Sequence, residues 1–545
     1  MNQTAPPPGR PSRRWMFGCL AVLTTVLAGC AGGGAQQEGS TAGSTFTQVE
    51  ATLPQSLDPN AAIDAITTKV TGGFASPLVQ QAGRPAEGDE LAPATEVAPY
   101  LAESWEKQPN GGYLFRLRTD AVSQAGNPLT SRDVDWSLRR ALEVGTAGSG
   151  YFTLGAIDTT TPVTVIDDHS FTLNVTRDNE LVLASLVFPM MSILDSTEIQ
   201  KHATPADPWG AEWLKTNSAG FGPYQVSSFT PAQSLRLTRN PNHWANPTFT
   251  DIVLRSVPDA GSRLQLVQSG EAQATSGLTW SQFGAAAETG SLKAEALPSN
   301  GAAAFYMQEA YAPFADVRVR QAVAHTVDMA QINQAIFGGY GTIPGANPWL
   351  PPAMPSPGTL PSYTRDLDRA KALMAEAGYA GGFDLEISAT PGTSGDWAGD
   401  LIQILGQQLA EIGIRVTPNI VPSVSDFNAR SDQKQLQATV SLGTYPVNSP
   451  TYAMRNWDVN QRRSPATLYS YRNDRFQELR AQMAGTAPGP ALDAVVLQAA
   501  TVVAQDVPMV NLVQVPAQLV TTSALSGVQA YTYPILYWEQ LGDSS

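Results

Sequence analysis

Residues 397–416 hold a helix, a stop and a strand in immediate succession. Ile402, Leu405, Leu409 and Ile412 fall on one helical stripe, Gly413 interrupts it, and Ile414 to Val416 continues in extended pattern. A helix that returns directly into a strand buries its apolar stripe on a sheet, which selects layered α/β architectures. Residues 366–377 carry a second stripe through Ala370, Leu373, Met374 and Ala377, with Asp366 as N-cap and Gly378 as stop. Val319, Val323, Val327 and Ile336 predict one long helix over 316–336. Tyr113, Phe115 and Leu117, and likewise Phe171, Leu173 and Val175, alternate with polar residues and predict half-buried strands. Ser234 to Thr238 and Asp251 to Val257 are further strand candidates. The Pro- and Gly-rich stretches 341–361 and 485–490 predict loops, as does Gly145 to Gly150. Asp167 and Asp168 read as a turn before a strand.

Composition narrows the function classes. The 545 residues are 42% hydrophobic and 15% charged, enough to bury a large core. A prior of about 100–200 residues per domain suggests three or four units. Acidic residues outnumber basic ones 48 to 33, which argues against a phosphate-backbone partner and so against nucleic acid. Two cysteines exclude a disulfide-rich scaffold and a four-thiolate zinc site. His169, His202, His243 and His325 stand far apart and show no metal-ligand spacing. The sequence contains no phosphate-loop motif, no H-E-x-x-H and no G-x-S-x-G. These features point away from an enzyme, a cofactor or a metal, and toward a binding protein.

The N-terminus sets the compartment. Arg10, Arg13 and Arg14 precede an apolar run from Trp15 to Val26, which has the length of a secretory signal and is too short to span a bilayer comfortably. Leu27-Ala-Gly-Cys30 follows it and resembles a bacterial lipobox, in which the cysteine is lipidated and becomes the first residue. Residues 1–29 are therefore expected to be a signal peptide. Residues 30–45, rich in Gly, Ser and Gln, are expected to be a flexible tether lipidated at Cys30. Removal of the signal leaves 516 residues, takes away three arginines and no acid, and moves the formal charge from −15 to −18. The expected location is the outer face of the cytoplasmic membrane.

A family resemblance runs from about Leu53 to the C-terminus. Ser56-Leu-Asp-Pro59, Tyr100-Leu-Ala-Glu-Ser-Trp-Glu106 and Tyr113 to Arg118 are followed by Gly126-Asn-Pro-Leu-Thr130 and Asp133-Val-Asp-Trp-Ser137. Then come Gly220-Phe-Gly-Pro-Tyr224, Arg239-Asn-Pro-Asn-His-Trp244, Pro313-Phe-Ala-Asp-Val-Arg-Val-Arg-Gln-Ala322 with Asp328, Ala370 to Tyr379 and Gln408 to Ile414. In this order the segments resemble the family 5 solute-binding lipoproteins (oligopeptide, dipeptide and nickel class) of ABC importers. Trp105, Trp136 and Trp244 read as core, Gly220, Gly222 and Pro223 as a turn, and Arg318 and Arg320 as ion-pair or capping residues.

The resemblance implies a periplasmic-binding-protein-like (type II) α/β fold, two lobes closing about a hinge, with a third subdomain inserted. Lobe I would take residues 46–75, 190–302 and 508–545, the inserted subdomain 76–189, and lobe II 303–507. It also implies a monomer that hands a solute or peptide to an ABC permease and its ATPase. Peptide-binding members pair an aspartate in lobe II with the peptide ammonium. Here the corresponding stretch is Val440 to Pro450, with Pro446 at the aspartate and no acid between Asp432 and Asp458. That departure opens the alternatives of a blocked peptide, an oligosaccharide, haem or a chelate, beside an envelope enzyme or adhesin built on the same fold. By position the cleft candidates are Tyr306, Gln308, Trp349, Thr444, Tyr445 and Asn448: amides to bond carbonyls or hydroxyls, and rings to stack on a flat solute.

Overall fold

The computed structural model describes residues 44–61, 65–86, 91–92, 95–144, 147–344, 358–391, 396–461, 464–532 and 536–543. The signal segment, Cys30, nearly all of the tether and Trp349 lie outside them.

Three sheets organise the body. The first has seven strands in the order Leu292–Leu297, Ala517–Thr522, Ala274–Thr275, Thr45–Glu50, Asp251–Ser256, Ser234–Arg239 and Tyr224–Thr230. Its strand Thr45–Glu50 runs parallel to both neighbours. The second has five strands in the order Ile414–Ile420, Phe383–Ala389, Ala438–Thr444, Gly301–Met307 and Met509–Gln514. The third is an antiparallel four-stranded sheet from Ala102–Lys107, Tyr113–Leu117, Ser170–Leu173 and Val163–Asp167. Phe46, Leu237 and Ile252 belong to a core beneath the first sheet, Phe305, Ile387 and Leu405 to that of the second, and Phe115 and Phe171 to that of the third. The predicted alternations are borne out: Phe115 and Phe171 stack at 5.2 Å, whereas Arg116 points to solvent.

The helix, glycine and strand unit at 397–416 forms as expected, with a helix Ala398–Ala410, Gly413 at φ +84°, and the strand Ile414–Ile420. Asp366 caps the helix Leu367–Glu376 by accepting from Arg369 N at 3.0 Å. The long helix expected over 316–336 is two helices, Val317–Thr326 and Met329–Phe337. Val327 takes extended backbone between them, and the Asp328 carboxylate accepts from Gln331 N at 2.9 Å, so a capping acid wins over the continuing apolar stripe. Residues from Ala147 on, expected in a loop, form the helix Ala147–Gly155. Met509–Gln514, expected in the first lobe, pairs with Gly301–Met307 in the second sheet. Trp105, Trp136 and Trp244 are half-buried against the cores, and Arg318 pairs with Asp316 at 2.6 Å.

Two features position the sheets. Asp58 and Arg140 form a fully buried bidentate pair at 2.8 and 2.7 Å, and Arg140 also donates to Asn60 and to the Trp209 carbonyl. The pair ties the Ser56 to Pro59 turn to the helix Ser131–Glu143. The chain crosses between the first two sheets at 297–301 and again at 514–517. These crossings lie side by side: Ser299 Oγ donates to the Val515 carbonyl at 2.7 Å, and Val515 N donates to the Gly301 carbonyl at 2.8 Å.

Candidate functional site

A cavity of about 1070 Å³ opens beside the two crossings, where Leu297, Pro298, Val515 and Pro516 form part of its lining. The first sheet supplies one wall from the carboxyl ends of its parallel strands and the turns after them. Glu50 ends Thr45–Glu50 and Ala51 follows it, Pro258 and Asp259 follow Asp251–Ser256, and Ser276 and Gly277 follow Ala274–Thr275. Strand termini leave side chains and backbone unpaired there, which is why ligands collect at such ends in α/β sheets. The second-sheet side supplies Ala335 and Ile336 from one helix and Asp396, Trp397 and Asp400 from the start of another. Gln529, Tyr531, Leu536 and Trp538 come from the C-terminal segment.

The first wall is a connected polar chain. Trp538 Nε1 donates to Gln48 Oε1 at 3.3 Å, and Gln48 Nε2 donates to Glu50 Oε1 at 2.7 Å. Ser276 Oγ donates to Glu50 Oε2 at 2.7 Å and accepts from Lys69 Nζ at 3.2 Å, while Lys69 stands 3.8 Å from Glu50 Oε1. A buried carboxylate held by two donors and a nearby ammonium is a fixed part of the wall. Arg263 is also fixed: it donates to the carbonyls of Val257, Pro258 and Gly277 at 2.8, 2.7 and 2.5 Å, and burial lowers its pKa. The seam between the walls is aromatic. Phe337 lies edge-on to both Trp280 (6.0 Å) and Trp397 (5.5 Å), and Trp280 stacks on Tyr340 at 5.8 Å.

The residues singled out from the sequence lie elsewhere. Tyr306 is buried and stacks on Tyr469 at 4.8 Å, close to Tyr445, which is buried and whose pKa desolvation pushes up to about 12. Gln308 is buried, its Nε2 donating to the Leu468 carbonyl at 3.0 Å and its Oε1 accepting from Ala310 N. Asn448 is buried; it donates to the carbonyls of Leu91 and Ala92 at 3.2 and 3.0 Å and accepts from Asn300 at 3.3 Å. Thr444 is exposed at its strand end, opposite Gly301. Tyr306 and Tyr445 thus come together, but none of these five lines the large cavity. The amides of Gln308 and Asn448 bond to protein, and Val447 joins the core under the four-stranded sheet. The signal that would have pointed to the cavity is positional: Glu50, Ser276 and Asp259 end parallel strands or follow them. Among the described residues no group of three or more His, Cys, Asp or Glu is arranged to hold a metal ion. No helix among them is long and apolar enough to cross a membrane.

Comparison with known proteins fixes the class. The fold is shared with the ABC transporter-associated periplasmic binding protein DppA of Helicobacter pylori, solved in complex with the peptide STSA, at a TM-score of 0.75 and 20% identity over 92% of this chain and 98% of that one. This defines a two-lobe type II binding-protein fold. Residues 96–464 match "Bacterial extracellular solute-binding proteins, family 5 Middle", and the chain belongs to that family. It is an extracytoplasmic solute-binding protein of the ABC-importer type rather than an enzyme. Haem-binding protein A of Haemophilus influenzae is 25% identical over 454 residues, covering 77% of this chain and 79% of that protein. The dipeptide-binding protein of Escherichia coli is 27% identical over 317 residues, covering 54% and 58%.

Proposed function

We propose that this chain captures a peptide in the cavity between its first two sheets and hands it to an ABC permease and its ATPase. In this reading it acts as a monomer, held at the cytoplasmic membrane by a lipid on Cys30. The observation that carries the proposal is the 1070 Å³ cavity placed against both chain crossings; in this reading the crossings are the hinge about which two lobes close on the solute. Closure needs no chemistry, only a solute that binds the closed arrangement better than the open one. The kinship with dipeptide-binding proteins supports a peptide. A flat non-peptide such as haem is the second reading, favoured by the aromatic lining of Trp280, Trp397, Tyr531 and Trp538 and by the kinship with haem-binding protein A.

The test is the mass of whatever co-purifies with the protein, followed by thermal-shift titration with that compound and with peptide, saccharide and haem panels. A saturable rise in Tm with peptides, without turnover, is the expected result. A rise with haem alone selects the second reading, and catalytic turnover of any bound compound refutes both.

A further inference from the structure

The charges around the cavity are unevenly spoken for. Its lining holds two cations, Lys69 and Arg263, and four carboxylates, Glu50, Asp259, Asp396 and Asp400. Lys69 is committed to Glu50 and Ser276, and Arg263 to three backbone carbonyls. Asp259 caps its helix, accepting from Ser262 N and Oγ at 2.7 and 2.8 Å. Asp396 and Asp400 are exposed and have no hydrogen-bond or ion-pair partner among the described residues. They flank Trp397, whose ring lies beside the same cavity and turns an edge-to-face contact toward Phe337. Unpaired carboxylates next to indole faces attract a cation by charge and by the ring quadrupole together.

We infer that the solute is positively charged, and that Asp396 and Asp400 select it from the second-sheet wall. This rests on the reading that the cavity is the solute site. It assigns the role of recognising positive charge to the start of the helix Ala398–Ala410 rather than to the stretch 440–450, which has no acid. A cationic peptide satisfies the arrangement: its ammonium groups meet the two carboxylates, and its apolar stems lie along Trp280 and Trp397. An anionic solute would meet two free carboxylates, and no cation of the lining is left uncommitted to answer it.

The experiment titrates the full chain with trilysine amide and with N-acetyl-triglutamate at low salt, where charges several ångströms apart are little screened. Three proteins are compared: the natural chain, Asp396→Asn/Asp400→Asn, and Ser281→Trp, which fills the cavity from an exposed helix position. Trilysine amide is expected to bind the natural chain at least about tenfold tighter than triglutamate, the gap falling to about twofold in the double variant. Its affinity should drop as salt is raised, and the double variant should melt with the natural chain because both carboxylates are exposed. Triglutamate binding as tightly as trilysine, with both lost in Ser281→Trp, overturns the charge inference and leaves the cavity as the site. Binding of neither probe overturns the inference. Binding indifferent to Ser281→Trp overturns the cavity reading and the inference together.

Discussion

Two carboxyl groups, the buried Asp58 and the half-buried Glu539, each give a measurable consequence. Asp58 is paired with Arg140 at no solvent exposure, and Arg140 also donates to Asn60 and to the Trp209 carbonyl. Asp58→Asn leaves that guanidinium buried without its counter-charge, so a loss of about 3–5 kcal/mol in urea unfolding is expected. A loss under about 1 kcal/mol would mean that solvent reaches the site. Among the described residues no cation stands beside Glu539; Tyr100 OH donates to it at 2.9 Å, and desolvation pushes its pKa up to about 7. In the unfolded chain the same group ionises near its ordinary value of about 4.3. As pH rises through that value the unfolded state loses a proton that the folded state keeps, so stability falls until about pH 7 and then levels off. Glu539→Gln is expected to match the natural chain at pH 4 and to melt above it at pH 8. A variant that melts lower at both pH values rules out the protonated carboxyl.

At the scale of elements, local grammar was legible wherever one residue decides the backbone. Asp366 as a cap and Gly413 as a stop could be read directly, because each acts within one turn. The break at Val327 was also written in the sequence, as Asp328 followed three residues later by a bonded Gln331 N, but the apolar stripe on both sides masked it. Asp328→Ala is expected to cost about 1 kcal/mol by loss of the cap; an unchanged Tm would show that packing of Ile332 and Phe337 holds the break unaided. Gly382 was not singled out at all. It has φ +70°, and a Cβ there would overlap the Gly413 carbonyl oxygen, so the loop before Phe383–Ala389 lies directly on the helix stop. Gly382→Ala is expected to destabilise by about 1–2 kcal/mol or more, read by thermal melting. The cavity was not legible, because Glu50, Ser276, Asp396 and Trp538 are gathered by parallel pairing and by two crossings, which no local pattern records. The stretch 440–450 stands out through family position, yet its Asn448 amide is spent on the Leu91 and Ala92 carbonyls.

At the scale of the molecule, the two larger sheets are joined by two short adjacent crossings, with indoles where the cavity walls meet. Trp280, Trp397 and Trp538 line the cavity, so solute capture should shift intrinsic fluorescence with saturable amplitude. Trp280→Phe is expected to remove a large part of that signal while the solute still binds. Emission that never changes at saturating solute would argue that the walls do not move or meet the solute.

The crossings also order events in time. Gly301–Met307 through Met509–Gln514 is one uninterrupted stretch, so the five-stranded sheet is complete once its own residues have been made. The seven-stranded sheet cannot be completed then: Ala517–Thr522 fills the gap between Leu292–Leu297 and Ala274–Thr275, and it arrives last from the ribosome. Until it does, two strand edges stand open to proteases and to stray pairing with other chains. Closure of the larger sheet therefore waits on one late strand of six residues.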